Sequence, residues 1–377
     1  MNKRGAIIID KDAISHNSRL VKQMIGEGTR LMSVVKANGY GHGMIESATA
    51  TLAGGADWLG VASVKEGCVL RAAGITSPIL ALGALWQEEM AAAITNDISM
   101  TIFSTEVAKR LSQTAQKLNK TAKVHVKLDT GMGRLGLSAW AEDVESSLNA
   151  IRGIAACSHV CIEGLYSHFA SSESDSIYSH EQYGRFAHII AHMDSIGLHI
   201  PIIHISNSGA ILNYRAFDHD MVRSGILIYG LSPESSIDGA NKLEALGFRP
   251  ALSLYGGISH IKTMPSGRGI SYGRTFTTER PTTIATIPLG YADGIPRLLS
   301  NRGRAIVRGE YAPIVGAVCM NQVMLDISHI PKAELGDKAY FIGQEGGCKL
   351  RAEDIAALSS TINYEVICAL AASVDRI

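Results

Sequence analysis

Between residues 31 and 224 the chain alternates short, nearly unbroken apolar runs with longer stretches whose apolar residues recur every three or four positions. The runs lie at 31–35, 58–62, 79–82, 99–103, 123–128, 162–167, 202–205 and 221–224. Runs of this length and composition predict strands buried on both faces. The longer stretches predict helices, clearest over 104–118, 141–152 and 179–196. A strand over 5–10 comes first, then a helix with Asp12 as its N-cap and Ile14, Val21 and Ile25 on one face. Eight β-then-α units over roughly two hundred residues predict the α/β class and a (β/α)8 TIM barrel.

Beyond about Ser232 the pattern changes. Residues 231–244, LSPESSIDGANKLE, read as a polar linker. Short β-like runs follow at 252–262, 282–288, 304–307, 311–319 and 322–326, punctuated by Gly and Pro. They predict a second, mostly β domain. The expected organisation is an N-terminal strand in 1–10 that packs with the C-terminal domain, a barrel over 11–235 and a β domain over 236–377.

In a (β/α)8 barrel, functional side chains sit where strands end. Lys36, Arg134, His168, Asn207, Ser208 and Arg223 all hold such positions. Lys36 closes the 31–35 run, and Ala37-Asn38-Gly39-Tyr40-Gly41-His42-Gly43 follows, with three glycines in five residues. Such a loop lets backbone approach a ligand closely. A partly desolvated lysine favours its neutral amine, which can form a Schiff base. The alternative is an ordinary strand-end lysine that reaches solvent.

Composition narrows the function classes. A chain of 377 residues that is 46% hydrophobic and 19% charged can bury two cores and is not disordered. With 35 basic and 35 acidic side chains, nothing points to nucleic acid or an anionic membrane as partner. The six cysteines, at 68, 157, 161, 319, 348 and 368, show neither CxxC nor zinc spacing. No metal site is expected, and a reducing cytoplasm fits better than a disulfide framework. The start, MNKRGAIIIDKD, holds too few apolar residues for a signal peptide or a membrane span. Gly131-Met132-Gly133-Arg134-Leu135-Gly136 fits G-x-G-x-x-G after a strand. The acidic residue expected about 20 positions on is missing, so the dinucleotide reading is weak.

Residues 33–43, SVVKANGYGHG, closely resemble the pyridoxal 5′-phosphate (PLP) lysine motif of the alanine racemase family. These are fold-type III PLP enzymes, with serine-racemising relatives, and further matches run to the end of the chain. The resemblance implies L-alanine to D-alanine racemisation for cell-wall D-alanine supply. It assigns Lys36 to one face of the substrate and Tyr272, in GISYGRTF, to the other. Tyr272 would come from the partner subunit of a head-to-tail homodimer and be helped by His168. DTGMGRLG would present Arg134 to the substrate carboxylate, as a guanidinium fork suits. Lys127, in VHVKLD, would be carbamylated and hold Arg134; the alternative is an ordinary lysine beside Asp129. Tyr40, Asn207, Ser208, Gly225 and Ile226 would hold the cofactor, the last three at its phosphate. Arg223 would face the pyridine nitrogen, with His204 behind it. An arginine there leaves that nitrogen unprotonated and favours racemisation. Tyr291, in PLGYADG, and Met320 would line the substrate site.

Two positions depart from the family pattern. The segment usually read C-M-D-Q has Asn321 where the family has aspartate. The tyrosine expected four residues after INYEVIC is Ala372, which opens the volume of a phenol ring. A wider pocket discriminates poorly against an extra hydroxyl, so relaxed specificity that includes serine is expected. Two rivals remain. A PLP decarboxylase would need a carboxylate in place of Arg223, and a single-barrel PLP carrier would lack Tyr272.

Overall fold

A computed structural model describes residues 4–195 and 197–377. Ile196, the expected end of one helix, and residues 1–3 lie outside the described residues. The chain forms two compact units. One holds Asp12–Gly39 and Met44–Glu234; the other holds the N-terminus to Lys11, Tyr40–Gly43 and Ser235–Ile377.

The chain opens with β1 (Gly5–Ile9), and the helix that follows spans Lys11–Ile25, so Asp12 lies in its first turn instead of capping it. The first unit is built on β2 (Arg30–Val34), β3 (Trp58–Val61), β4 (Ile79–Ala81), β5 (Ser99–Ile102), β6 (Ala122–Asp129), β7 (Leu137–Ser138), β8 (Val160–Tyr166), β9 (Ile202–His204) and β10 (Met221–Ser224). Apart from the two-residue β7, which pairs on the side of β6, these strands form a parallel sheet in the order β10-β2-β3-β4-β5-β6-β8-β9. The remaining seam, between β9 and β10, is bridged by Asp220 N to Ile203 O (3.1 Å) and Arg223 N to Ser206 O (2.9 Å). The result is a nearly closed (β/α)8 barrel. The periodicity argument works where strands are covered on both faces: β3, β4, β5 and β10 are buried at every residue. Met32, Trp58, Leu80, Ile202 and Met221 form one cluster of its core. The outer helices follow local rules. Ser104 caps Thr105–Lys117 by accepting the Val107 amide, and that helix buries Ala108, Leu111 and Ala115 at helical spacing.

The second unit is mostly β, as the Gly- and Pro-broken runs predict. Its strands are β11 (Leu252–Gly257), β12 (His260–Met264), β13 (Gly269–Ile270), β14 (Phe276–Thr277), β15 (Thr282–Ile287), β16 (Arg304–Val307), β17 (Glu310–Pro313), β18 (Val323–Asp326), β19 (Lys338–Glu345), β20 (Cys348–Leu350) and β21 (Asp375–Arg376). The larger sheet has the order β17-β16-β19-β11-β1-β21, with β20 on β19; β12-β15-β18 form a second and β13-β14 a hairpin. The run at 252–262 is two strands, and the run at 311–319 stops at Pro313, because Gly316 turns the chain at φ 78°. Short helices at Ile237–Ala245, Ala352–Ser359 and Asn363–Cys368 complete the unit. Tyr40–Gly43 is fastened into it. The Arg376 guanidinium donates to Gly41 O at 2.8 Å and to Leu370 O at 3.3 Å. A Cβ on Gly41 would lie 2.2 Å from Ile367 O, so only glycine permits this approach.

Candidate active site

Lys36 leads out of β2 into a left-handed turn. Ala37, Asn38, Gly39 and Tyr40 take φ of 53°, 54°, 62° and 51°. For residues with a Cβ this costs ~1–2 kcal/mol each, so the surroundings must over-determine it. They do. The Gly39 amide donates to Val35 O (2.9 Å) and the Ala37 amide to Glu66 Oε1 (2.9 Å). The Met44 amide donates to Asn38 Oδ1 (3.1 Å). Glu66 is itself anchored, since its Oε2 accepts the Ala62 amide at 2.6 Å. The backbone around Lys36 is therefore fixed on both sides. The sequence pattern shows the loop but not its handedness, which the tertiary partners impose.

Arg223, 3% exposed, is the last residue but one of β10. Its Nη1 donates to His204 Nδ1 (2.8 Å). Its Nη2 lies within hydrogen-bond reach of Ser167 O (2.7 Å), Ile205 O (2.9 Å) and His168 Nδ1 (3.0 Å). These four acceptors are all uncharged. Burial lowers the Arg223 pKa to about 10, which still leaves the guanidinium charged at neutral pH. His168 and His204 are pushed well below the usual histidine range, first by burial and then by the Arg223 charge, so both are neutral.

Lys127 sits among other cations. Burial lowers Lys127 to about 7, and Arg223, Arg134 and Lys36 push in the same direction while only Asp129 opposes them. The Lys127 ammonium lies 4.5 Å above the Tyr166 ring. Asp129 is otherwise engaged: its Oδ1 accepts the amides of Gly131 (2.9 Å), Met132 (2.9 Å) and Gly133 (3.1 Å). That carboxylate shapes the loop carrying the exposed Arg134. Tyr178 Oη donates to Gly131 O (2.7 Å), and Arg185 donates to Thr130 O (2.9 Å) while stacking on Trp140 at 3.8 Å. The G-x-G-x-x-G segment ends in strand β7, not in a helix, so it is no dinucleotide fingerprint.

Asn207 caps the helix Ser208–Asn213, its Oδ1 accepting the Ala210 amide (3.1 Å) and the Ser172 hydroxyl (2.6 Å). The Gly225 amide donates to Ser208 Oγ (3.0 Å), and Ile226 begins the short 3-10 turn Ile226–Tyr229. Ser224 Oγ, beside them in sequence, is buried with no hydrogen-bond partner among the described residues.

The other predicted residues belong to the second unit. Tyr272 is 75% exposed at the tip of the β13–β14 hairpin, between Ser271 and Gly273 at φ 62° and 69°. It lines a cleft of about 510 Å³ with Ser271, Cys319, Gln322 and Met324. Ser271 Oγ donates to Ala317 O at 2.6 Å, tying the hairpin to the 317–320 loop. The Tyr291 amide donates to Cys319 O at 3.0 Å, which sets Tyr291 beside the loop of Met320 and Asn321. Asp293 of the same motif is structural: it caps the Gly290 amide (3.0 Å) and pairs with Arg4 at 2.6 Å. Ala372 sits exposed in the turn before β21, and the Tyr40 ring lies 6.2 Å from that of Tyr364.

Sequence reasoning missed Tyr166, which stacks on His204 at 4.8 Å, and also His125, Glu66, Tyr178 and Arg185. A signal for His125 was present. In VHVKLD the polar residues alternate, so His125, Lys127 and Asp129 share one strand face opposite Val124, Val126 and Leu128.

The donor set fits PLP. It offers an amine on a rigid turn, a charged donor that accepts nothing, and backbone amides with a serine for a phosphate. Its excess of positive charge suits both that phosphate and a substrate carboxylate. Residues 9–233 match the family model "Alanine racemase, N-terminal domain", and 251–377 match "Alanine racemase, C-terminal domain". The chain is 42% identical over 372 residues to "Alanine racemase 2" of Caldanaerobacter subterraneus subsp. tengcongensis, covering 98% of this chain and 93% of the relative. The alanine racemase structure from D-cycloserine-producing Streptomyces lavendulae superposes with a TM-score of 0.93 at 34% identity, over 100% of this chain and 97% of that one. That from Bartonella henselae, described with covalently bound pyridoxal phosphate, does so with 0.86 at 27% identity over 99% of each.

Proposed function

The chain belongs to the alanine racemase family, PLP-dependent enzymes that interconvert L- and D-alanine, and on that premise we propose that it exchanges the substrate α-proton between two bases, Lys36 and Tyr272. When bound, PLP supplies the electron-withdrawing ring that acidifies the Cα–H bond. The chain supplies the rest. Lys36 Nζ takes or returns the proton on one face, from a backbone that the left-handed turn keeps rigid. The Tyr272 hydroxyl acts on the other face. Arg134 binds the substrate carboxylate, with Met320, Asn321 and Tyr291 around it. Ser208, Gly225 and Ile226 hold the phosphate, and Asn207 and Tyr40 also bind the cofactor.

The observation that carries this reading is Arg223: a buried guanidinium whose hydrogen-bond acceptors among the described residues are four uncharged atoms. Arg223 would donate a hydrogen bond to a ring nitrogen that faced it and so keep that nitrogen unprotonated; the cofactor would then supply a weaker electron sink, which would favour return of the proton over side reactions. A decarboxylase would need a carboxylate here.

Tyr272 stands out from its own unit, as do Leu298 (58% exposed) and Met320 (55%), and this supports a head-to-tail homodimer in which Tyr272 completes the partner's site. The low Lys127 pKa supports carbamylation, since the neutral amine is the form that adds CO2. Ala372 supports turnover of serine beside alanine. Six free cysteines support a reducing cytoplasm, and no helix among the described residues is long and apolar enough to cross a membrane.

The test is steady-state racemisation of L-alanine and L-serine by the PLP-loaded protein and by Tyr272→Phe. The variant should keep its visible cofactor band and lose about a hundredfold or more in kcat, the size of a lost acid–base group. Full activity in Tyr272→Phe would reject the two-base reading. A wide preference for alanine over serine would reject relaxed specificity.

A further inference from the structure

Among the described residues no carboxylate is a hydrogen-bond partner of the buried Arg223 cation, and the chain of groups behind it leads to one. Arginine donates and never accepts, so His204 Nδ1, 2.8 Å from Arg223 Nη1, must present its lone pair. His204 therefore carries its proton on Nε2, which lies 2.9 Å from His125 Nδ1. His125 must accept there, so its own proton is on Nε2. That atom is buried, has no hydrogen-bond partner among the described residues, and lies 4.0 Å from Glu163 Oε2. At 4.0 Å this is an electrostatic contact, not a hydrogen bond. Glu163 is partly exposed and is itself held by the Ser99 hydroxyl at 2.6 Å.

The barrel is built to admit this chain. A Cβ on Gly164 would lie 2.2 Å from His125 Nδ1, so the glycine makes room for the imidazole. The β6–β8 register shifts between Val124 and His125, which pair with Ile162 and Gly164 and leave Glu163 as the extra residue of β8. Trp58 meets the His125 ring edge-on at 5.4 Å, and Tyr166 stacks on His204. Barrel interiors are ordinarily filled by Val, Ile and Leu. Two imidazoles in their place are costly unless hydrogen-bonded.

We propose that Glu163 is the counter-charge of Arg223, coupled to it by a one-way relay of two neutral histidines, and that His125 is a positioning residue for the guanidinium. Each ring turns its lone pair toward the cation and its N–H toward the carboxylate, so both dipoles align with the field between them. The relay fixes the plane of Arg223 and with it the direction of the N–H groups it has left to offer. The functional consequence rests on the reading that Arg223 faces the cofactor ring. The tautomers do not.

The experiment uses PLP-loaded protein carrying 15N-labelled histidine, as wild type and as Glu163→Gln, His125→Leu and His125→Asn. In wild type, His125 and His204 should both appear as neutral Nε2–H tautomers. Glu163→Gln, which removes the counter-charge, and His125→Leu, which removes the relay, should each lower kcat roughly tenfold with little change in KM. His125→Asn, whose Oδ1 can replace Nδ1 as acceptor, should return kcat to within about threefold of wild type. An Nδ1–H tautomer or an imidazolium at either histidine would overturn the relay. So would wild-type kcat in Glu163→Gln, a change at a partly exposed residue that tests the proposal even where His125→Leu fails to fold. Failure of the racemase reading would show instead as a wild type that does not racemise, with its histidine spectra unchanged.

Discussion

Lys127 offers the sharpest test of the electrostatics. It is 4% exposed, and burial with Arg223, Arg134 and Lys36 lowers its pKa from 10.5 to about 7. In the unfolded chain the ordinary value returns. Below pH 7 both states hold the proton, and the folded state bears the full penalty. Roughly three and a half pKa units at 1.36 kcal/mol each put it on the order of 5 kcal/mol. Between pH 7 and 10.5 the unfolded state binds the extra proton, so the unmodified protein gains about 1.4 kcal/mol of stability per pH unit from this group. Lys127→Met keeps the volume and removes the charge. It should be more stable than CO2-free wild type at pH 6, with the difference shrinking toward pH 9. All three tryptophans, Trp58, Trp86 and Trp140, lie in the barrel unit, so their fluorescence in urea follows that unit alone. Bicarbonate at pH 8 should raise the wild-type midpoint and leave Lys127→Met unmoved, because only the amine forms a carbamate. Parallel pH profiles for the two proteins in CO2-free buffer would refute the reasoning, since an uncompensated buried ammonium must show itself there.

Four other outcomes follow from particular positions. Asp129→Ala frees the three amides that shape the Arg134 loop, so KM for alanine should rise roughly tenfold while kcat falls less. Asp129→Asn, which keeps an acceptor oxygen, should recover most of it, and an unchanged KM in the alanine variant would contradict this role of the loop. Gly164→Ala drives a methyl into His125 and should cost about 1–3 kcal/mol by urea unfolding. Gly184→Ala, in helix Ser176–Ser195 with open space at its Cβ, should gain about 1 kcal/mol in the same assay. Ala372→Tyr restores the ring that the family pattern has there, and kcat/KM for serine relative to alanine should fall; an unchanged ratio would place the selectivity elsewhere.

The sequence by itself determined the barrel, because a strand covered on both faces must be apolar throughout and a helix on one face must repeat near 3.6. It determined the residue types at the strand ends, Lys36, Arg134, His168 and Arg223, because the chemistry they carry is written in their side chains. Strand limits shifted by a residue or two where apolar character runs past the last ladder bond, as at Phe103 after β5. The tertiary structure decided what depends on partners far apart in the chain. The turn after Lys36 is left-handed because Glu66 and Val35 hold it so. Tyr40–Gly43 is fastened by Arg376, 335 positions away from Gly41. Asp129 serves the loop and not Lys127 as a simple ion pair, since its oxygen is taken by three amides. The proton positions on His204 and His125 follow from a guanidinium that can only donate. No local pattern specifies such facts, because burial and hydrogen-bond direction belong to the assembled interior, where each group's charge and tautomer are set by its neighbours.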